Sequence, residues 1–297
     1  MTLTSTGRSL AELVVAGRPV ASYRDGSALD RTLSPRPFLH PVTTLTGTAV
    51  TDVQPEDHRW HLGVSVAVQD AGGVNVWGGR TYLRGKGYTW RDDHGTIRHR
   101  GWHRRTGGLL DEDLAWCGPD SREFLTERRV LAARPAEDGW ALDVEFTLHN
   151  GTGAPILLGS PATNGREKAG YGGLFWRLPL PAGDATVFTP DANGEAAVHE
   201  SQSRWLAYHG DDGDPARTFT VVLGPTDDRT AADRWFVRLD NYPGLCSALA
   251  THEPLRIAPG EPQTRRLTAL VCDGHLGKER VENAWQVAAA GSPGPAL

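Results

Sequence analysis

The segment PEDHRWHLGV at 55–64 places a carboxylate, two imidazoles and an indole within five positions, at Asp57, His58, Trp60 and His61. An imidazole exchanges protons near neutral pH, and a neighbouring carboxylate can orient it. The flat indole adds an apolar wall against which a small molecule can rest. This segment therefore predicts part of a small-molecule site in which the two histidines transfer protons.

Histidines are concentrated in the N-terminal third of the chain. Six of the 11 precede residue 104: His40, His58, His61, His94, His99 and His103. His58 and His61 are three residues apart, so a regular strand would direct them to opposite faces of a sheet. Both enter one site only if residues 55–61 form a turn or a bulge, which Pro55 favours. We predict such a turn, with His99 and His103 approaching the same cleft from a neighbouring loop.

The dominant hydrophobic period along the chain is two, as in half-buried strands. Apolar residues alternate with small or polar ones over 62–68, and the turn sequence DAGG at 70–73 predicts a hairpin with 74–77. The same pattern predicts that 128–134 pairs with 141–148. Further strands are predicted at 10–15, 18–24, 218–224, 234–240 and 265–272. Because 35 glycines and 20 prolines separate these short segments, the sequence predicts an all-β, antiparallel β-sandwich.

One segment near the C-terminus breaks this pattern. Val281, Ala284, Trp285 and Ala288 recur at helical spacing, which predicts a short helix over 276–290. The tail at 291–297 is rich in glycine and proline and is predicted to fray. No repeat, charge block or linker divides the chain, so we predict one β-sandwich domain over 1–297, with an ordered core of about 8–290.

Composition argues against several classes of protein. A net charge of −5 and a pI near 6.1 do not fit a nucleic-acid binder, which needs a concentrated basic surface. No stretch approaches the ~18 apolar residues of a membrane span, and no glycine motif for a nucleotide is present. Cys117, Cys246 and Cys272 are widely spaced, so we expect buried, reduced thiols rather than a disulfide framework. We expect a cytoplasmic protein that binds neither nucleic acid nor membrane, and the sequence leaves its oligomeric state open.

Eight segments, taken in order, carry a resemblance to a known family: RPFLHPV (36–42), TDVQPEDHRWHLGV (51–64), GVNVWGG (73–79), HGTIRHRGW (94–102), GYGGLFWRLP (170–179), SRWLAYHG (203–210), RWFVRLDNYPG (234–244) and LRIAPGEPQTRRLTALVCDG (255–274). Over about residues 10–285 the chain resembles the bacterial family labelled methane oxygenase PmoA-like. A methane monooxygenase subunit is a membrane protein, and this chain has no predicted span, so the resemblance implies no oxygenase chemistry. The RP-F-HP and DH-WH motifs are also similar to those of the galactose mutarotase-like supersandwich, a fold shared by sugar epimerases and polysaccharide-active enzymes.

The resemblance implies site residues at the matching positions. These are Arg36, His40, Asp57, His58, Trp60, His61, Asn75, Trp77, His99, Tyr171 and Arg177. The chain departs from the family pattern at Leu62, where many relatives have a further histidine, and at Gly78 and Gly79, where relatives often have a His-Glu pair. Both departures remove polar groups, so this chain is expected to have a reduced or altered site.

Tryptophan faces suit the apolar C–H faces of a sugar ring, while His, Arg, Asp and Asn side chains bond its hydroxyls. We therefore predict a carbohydrate-active enzyme, a glycoside hydrolase, lyase or epimerase, whose ligand is a small sugar or glycoside. The predicted catalytic residues are Asp57, His58, His61 and His99. The predicted substrate-binding residues are Arg36, His40, Trp60, Asn75, Trp77, His103, Tyr171 and Arg177. Glu167, on a loop between glycines, is a further candidate for an acid-base carboxylate.

Two alternatives stand beside this prediction. In the first, His40, His58, His61 and His99 ligate a divalent metal, although no HExxH motif or dense ligand set marks such a site. No cofactor is therefore predicted, and the divalent metal is kept as the alternative. In the second, the chain is a non-catalytic sugar-binding or regulatory protein. Metal analysis tests the first alternative, and turnover of a bound sugar tests the second.

Overall fold

Hydrogen-bonded strands make up most of the computed structural model, which describes residues 6–292. The first ten strands are β1 (Ser9–Val15), β2 (Arg18–Arg24), β3 (Phe38–Val42), β4 (Val64–Ala67), β5 (Asp70–Ala71), β6 (Thr81–Leu83), β7 (Gly87–Thr89), β8 (Thr96–Arg105), β9 (Leu109–Cys117) and β10 (Glu123–Ala136). The remaining strands are β11 (Gly139–His149), β12 (Ile156–Gly159), β13 (Gly173–Arg177), β14 (Thr186–Phe188), β15 (Leu206–Asp211), β16 (Thr218–Pro225), β17 (Arg234–Arg238), β18 (Gly244–Ala248), β19 (Leu255–Ile257) and β20 (Gln263–Asp273). The helices are α1 (Glu195–Val198), α2 (Asp228–Ala231) and α3 (Lys278–Ala290), and Arg31–Leu33 form a 3-10 turn.

Two large antiparallel sheets pack against each other across the main core. The first has seven strands in the order β1-β2-β3-β4-β13-β18-β17, and the second has eight in the order β14-β15-β16-β20-β11-β10-β9-β8. Two small sheets, β19-β12-β5 and β6-β7, complete the set in the described residues. The predicted all-β, antiparallel fold with a short C-terminal helix is therefore confirmed.

Alternate residues of the strands divide between the main core and the outer faces of the sheets, as a period of two requires. In β13, Leu174 and Trp176 enter the main core, which draws residues from both large sheets. Phe175, between them, packs instead with Phe236 of β17 in a separate cluster. The outer face of the seven-stranded sheet therefore carries its own aromatic surface, on which a site can be built.

Helix α3 covers the outer face of the eight-stranded sheet. Val281, Ala284, Trp285 and Ala288 are its buried residues, and they pack with Trp205, which directly precedes β15, and with side chains of that sheet. These are the four residues whose spacing predicted the helix. Only the first two residues of the tail that was predicted to fray are described, and the rest lies outside the described residues. Within residues 6–292, no helix has the length and apolar character needed to cross a membrane.

One predicted hairpin is wrong in its second strand. The chain does reverse at 71–74, where the Ala71 N–H donates to the Val74 carbonyl over 2.8 Å. However, β4 pairs with β3 and β13, and residues 74–77 form no strand, although the Val76 N–H still donates to the Val68 carbonyl over 3.0 Å before the segment turns away. The cause is Asn75, whose Oδ1 accepts from the N–H groups of Trp77 at 3.0 Å and Gly78 at 2.8 Å. The other predicted strands are present as β1, β2, β10, β11, β16, β17 and β20.

Candidate functional site

A cavity of about 480 Å³ opens on the outer face of the seven-stranded sheet. Its aromatic lining consists of Trp60, Trp77, Tyr88, Trp90, Tyr171, Phe175, Phe236 and Tyr242. Its polar lining consists of Asp57, His58, His61, Gln69, Arg80, Arg166 and Arg238. Strand alternation supplies the floor, because Phe175 of β13 and Phe236 of β17 both face away from the main core. The cavity is therefore a polar pocket with apolar walls, within the usual volume range of small-molecule sites.

The segment at 55–61 forms the predicted turn at the edge of this cavity. A bridge between Val53 and Leu62 closes the loop. Inside it, the His58 N–H donates to the Pro55 carbonyl over 3.1 Å, and the His61 N–H donates to the His58 carbonyl over 2.9 Å. These two consecutive turns bring the imidazole centroids to 4.9 Å from each other. Both histidines consequently reach one cavity, which a regular strand would not allow.

His61 lies deep in the aromatic lining, with only 5% of its surface exposed. Its ring meets Phe175 edge-on at 5.0 Å and Trp77 at 5.7 Å between centroids. Among the described residues its Nδ1 has no hydrogen-bond partner. A buried nitrogen without a partner costs about 1–3 kcal/mol, and His61 lines a cavity from which a ligand or a water molecule can supply that partner.

The electrostatic surroundings of His61 favour its neutral form. Burial lowers the pKa of His61 well below its usual value, and the charges of His58, Arg177 and Arg36 lower it further. Arg177 is itself buried and forms an ion pair with Asp52 at 3.3 Å. Arg177 was predicted to bind substrate, yet it does not line the cavity and acts on it through its charge. His61 is therefore a neutral imidazole at neutral pH, available to accept a proton.

His58 is the more accessible of the two imidazoles, with 26% of its side chain exposed. Its Nδ1 lies 2.9 Å from Asp57 Oδ2, but the contact lacks hydrogen-bond geometry, and Nδ1 has no other partner among the described residues. The ring also lies against Tyr242, with 4.3 Å between centroids. Asp57 thus places a carboxylate beside an imidazole whose Nδ1 has no hydrogen bond among the described residues.

Arg36, predicted to bind substrate, is a positioning residue beneath the cavity. Its guanidinium is completely buried and donates to the carbonyl oxygens of Trp60 at 2.9 Å and Trp77 at 3.0 Å. It also donates to Ser34 O and Ser65 Oγ, and no carboxylate pairs with it in the described part of the chain. Burial accordingly lowers the pKa of Arg36 to about 9. Arg36 therefore fixes the backbone that carries both tryptophans.

Gly78 and Gly79, where the chain departs from the family pattern, make room for the indole of Trp60. Both have positive φ, +101° and +70°, which side-chain-bearing residues rarely adopt. A Cβ on either glycine would lie 2.6 Å from an atom of Trp60, closer than van der Waals contact allows. Because neither position carries a side chain, Trp60 can lie flat against the backbone at Gly78 and Gly79.

The opposite wall is a chain of hydrogen bonds that ends at an arginine. Gln69 Nε2 donates to the Tyr171 hydroxyl over 2.9 Å, and that hydroxyl is 2.9 Å from the hydroxyl of Tyr88. Arg166 donates to the Tyr88 hydroxyl and lies 4.8 Å from the centroid of its ring. Burial raises the pKa of Tyr171 well above its usual value, so it stays protonated. Of these residues only Tyr171 was predicted, because no local pattern links positions so far apart in sequence.

The expectation that His99 shares this cavity is wrong. His99 lies on β8, where its Nδ1 is 2.5 Å from Glu112 Oε2. The other oxygen of Glu112 accepts a hydrogen bond from Tyr23, which belongs to the main core. The predicted loop is instead a strand of the eight-stranded sheet, and strand alternation directs His99 toward this internal network.

Two other predicted histidines also lie outside the cavity. His40 Nδ1 is 3.0 Å from Thr51 Oγ1, and burial lowers the pKa of His40 to about 4. His103, on β8, is an exposed partner of Asp113, at 2.8 Å. The ligand set of the metal alternative is consequently not assembled, and residues 6–292 contain no group of three or more His, Cys, Asp or Glu placed as metal ligands. Glu167 is exposed on its loop and does not line the cavity.

Comparison with known proteins gives a family and a loose structural likeness. An Escherichia coli K12 protein proposed to be an aldose 1-epimerase has 12% identity and a TM-score of 0.41, over 88% of this chain and 98% of that one. An aldose epimerase homologue from C. elegans has 10% identity and a TM-score of 0.38, over 89% and 99%. An α-galactosidase from Geobacillus stearothermophilus has 8% identity and a TM-score of 0.39, over 68% and 30%.

These similarities identify neither a substrate nor a reaction. No curated protein matches the chain. The predicted resemblance to the PmoA-like family gains no support from the matches, whereas the model of a family of unknown function, DUF6807, matches residues 11–286. The chain therefore belongs to the DUF6807 family.

Proposed function

We propose that this protein is a carbohydrate-active enzyme that transfers protons to and from a bound sugar through His58 and His61. The observation that carries the proposal is the pair of imidazoles, 4.9 Å apart between centroids, at the wall of a 480 Å³ cavity. A proton donor and a proton acceptor at this separation can both reach one small molecule.

The lining of the cavity suits a sugar ring. Trp60 and Trp77 offer flat apolar faces to its C–H groups, and the Nδ1 atoms of His58 and His61, which have no hydrogen-bond partner among the described residues, are available to its hydroxyls. Arg36 and Asn75 hold the backbone beneath the tryptophans through hydrogen bonds, so the walls are formed before a ligand arrives. Such preorganisation limits the entropy lost on binding.

The two histidines differ in environment, which suggests different roles. His61 is neutral because it is buried near two guanidinium groups, so we assign it as the proton acceptor. His58 is partly exposed and has the carboxylate of Asp57 2.9 Å away, so we assign it as the donor, with Asp57 balancing its charge. Pairs of titratable groups held in contrasting environments are the usual basis of acid-base assignments.

The reaction class follows from the number of carboxylates. Most glycoside hydrolases use two, separated by about 5–10 Å. Asp57 is the one carboxylate among the described residues that line this cavity. We therefore favour proton transfer at a ring carbon or at the anomeric oxygen, as in an epimerase, mutarotase or lyase, over hydrolysis of a glycoside.

Nuclear magnetic resonance in D₂O tests this proposal with a panel of free sugars and glycosides. Reversible proton abstraction from carbon incorporates deuterium, ring opening accelerates exchange between anomers, and elimination by a lyase produces an alkene proton signal. We expect the native protein to do one of these, and His58→Ala and His61→Ala to slow it by about 10²-fold or more. The matched control is His149→Ala, at an exposed end of β11 in the other sheet.

Thermal unfolding of the same variants separates a catalytic from a structural role. A catalytic histidine at a cavity wall should leave the melting temperature largely unchanged when it is truncated. Full activity in both histidine variants would refute the proposal, as would a large fall in melting temperature with normal activity per folded molecule. Sugar binding without turnover would instead support the non-catalytic alternative.

A further inference from the structure

The cavity has a positive charge that sugar hydroxyls do not require. Its lining contains three arginines, Arg80, Arg166 and Arg238, and one carboxylate, Asp57. The arginines of the lining outnumber its carboxylate, in a chain whose net charge is −5. Because the protein as a whole is acidic, the positive lining is a local property of the site.

We infer that the sugar bound in this cavity carries an anionic group, a carboxylate, sulfate or phosphate, and that Arg80 and Arg166 bind it. That the ligand is a sugar rests on the proposed function. That the ligand carries an anionic group rests on the contacts of Arg80 and Arg166. The proposed function alone fits neutral and charged sugars equally, so the charge of the ligand is an additional claim.

Arg238 does not supply the free charge, because its guanidinium already has partners. It forms an ion pair with Glu195 at 3.3 Å and donates to the carbonyl oxygens of Lys168 at 2.9 Å and Val237 at 2.8 Å. Its role is to tie β17 to neighbouring segments. The other two arginines of the cavity lining are Arg80 and Arg166.

Arg80 and Arg166 have no carboxylate partner within residues 6–292. Arg166 donates to the Tyr88 hydroxyl, and Arg80 makes no ion pair with any described side chain. Glu167, next in sequence to Arg166, is exposed and forms no ion pair with it. Both arginines are exposed at the cavity, so their guanidinium groups are accessible to an anion from solution.

Aromatic rings hold both guanidinium groups in place. Arg166 lies 4.8 Å from the Tyr88 ring centroid, and Arg80 lies 5.8 Å from that of Trp90. Stacking of this kind restricts a long side chain without using its outward N–H donors. These donors remain available for the two oxygens of a carboxylate, or for those of a sulfate or phosphate.

Hydrogen bonds join the two segments that carry Arg80 and Arg166. The Arg80 carbonyl accepts from Gln69 Nε2, which also donates to the Tyr171 hydroxyl. That hydroxyl contacts the Tyr88 hydroxyl, to which Arg166 donates. A sugar lying on the tryptophans between these segments and the histidines could therefore direct its anionic group to the arginines while its ring faces the imidazoles.

Calorimetric titration with matched sugars tests the inference. The probes are glucose, glucuronate, galacturonate, glucose 6-sulfate and glucose 6-phosphate, used with the full chain and with Arg80→Gln and Arg166→Gln. The control is Arg122→Gln, which removes one exposed arginine in the remote turn between β9 and β10. The three kinds of anionic group distinguish carboxylate, sulfate and phosphate as the ligand chemistry.

We expect at least one anionic sugar to bind roughly tenfold or more tightly than glucose, and each cavity variant to remove most of that preference. Arg122→Gln should retain it, and raising the salt concentration should weaken it. The inference is overturned if no anionic sugar binds more tightly than glucose, or if the preference survives in both cavity variants.

The D₂O experiment separates this inference from the proposed function. Exchange on neutral sugars that depends on the histidines and not on the arginines would overturn the anionic ligand and leave the enzyme proposal standing. Arginine-dependent binding of an anionic sugar without proton exchange, anomer exchange or elimination would support the ligand and refute the enzyme.

Discussion

Replacing Gly79 with alanine should displace Trp60 from the cavity wall. The new methyl group would lie 2.6–2.8 Å from three ring atoms of the indole, whereas non-bonded carbons need ~3.5 Å. The backbone at Gly79 has φ of +70°, so it cannot relax into a common conformation without moving the turn that carries Trp77. The indole, which is partly exposed, is therefore the group that must move.

Two terms set the magnitude of this effect on the free energy of unfolding. Alanine in the left-handed region costs about 1–2 kcal/mol. Crowding of a packed group costs about 1–3 kcal/mol more, so Gly79→Ala should destabilise the protein by about 2–5 kcal/mol. Gly85→Ala is the matched control, because Gly85 has φ of +75° and no atom within 4 Å of an added Cβ. Gly85→Ala should show only the cost of the left-handed backbone conformation, about 1–2 kcal/mol.

Urea unfolding and ligand titration measure the two consequences. Gly79→Ala should lower the free energy of unfolding by about 1–3 kcal/mol more than Gly85→Ala does, and should weaken sugar binding. In a Trp60→Ala background this extra term should vanish, because the colliding ring is gone. Equal costs for the two glycine variants, or an extra cost that persists without Trp60, would refute the account of why glycine occupies this position.

Three further predictions concern the scaffold. Because burial holds the folded-state pKa of His40 at about 4 and that of His61 well below 6.5, the unfolded chain binds more protons than the folded one at acid pH. The free energy of unfolding should thus be highest above pH ~6.5 and fall below it, and His40 alone should account for a loss of about 3 kcal/mol at pH 4. His40→Gln should make this pH dependence shallower in urea titrations at several pH values. Arg36→Met should lower the free energy of unfolding by about 2–5 kcal/mol, because it leaves buried carbonyl oxygens without donors, and a loss below ~1 kcal/mol would contradict that role. Trp285→Ala should cost about 3–5 kcal/mol, while Val287→Ala, 60% exposed on the same helix, should change stability by less than ~0.5 kcal/mol.

The local sequence pattern was sufficient to predict the elements that bury one face against one neighbouring surface. Alternation identified β10 and β11, and helical spacing identified the four residues by which α3 packs on its sheet. The residues of the 55–61 turn were likewise readable, because Pro55 and the spacing of His58 and His61 require a reversal if both histidines are to share a site. In each case the physical cause acts within a few residues of chain.

The location of His99 could not be predicted from the local sequence. Its neighbours in sequence suggested a basic loop near the cavity, yet they form β8, and pairing with β9 places His99 beside Glu112. Nothing within β8 specifies which sheet it joins, because the choice depends on the burial of all eight strands together. A side chain can therefore be identified as chemically capable from sequence while its location stays undetermined.

The sequence by itself determined the all-β character, the terminal helix and the turn that brings His58 and His61 together. Tertiary structure alone decided what surrounds that pair. Tyr88 and Arg166 are 78 residues apart and meet only because the strands and loops that carry them converge on one face of the seven-stranded sheet. The hydrophobic period shows which face of each strand is buried. It does not show which distant strand lies beside it, because that pairing depends on how all the strands bury the core together.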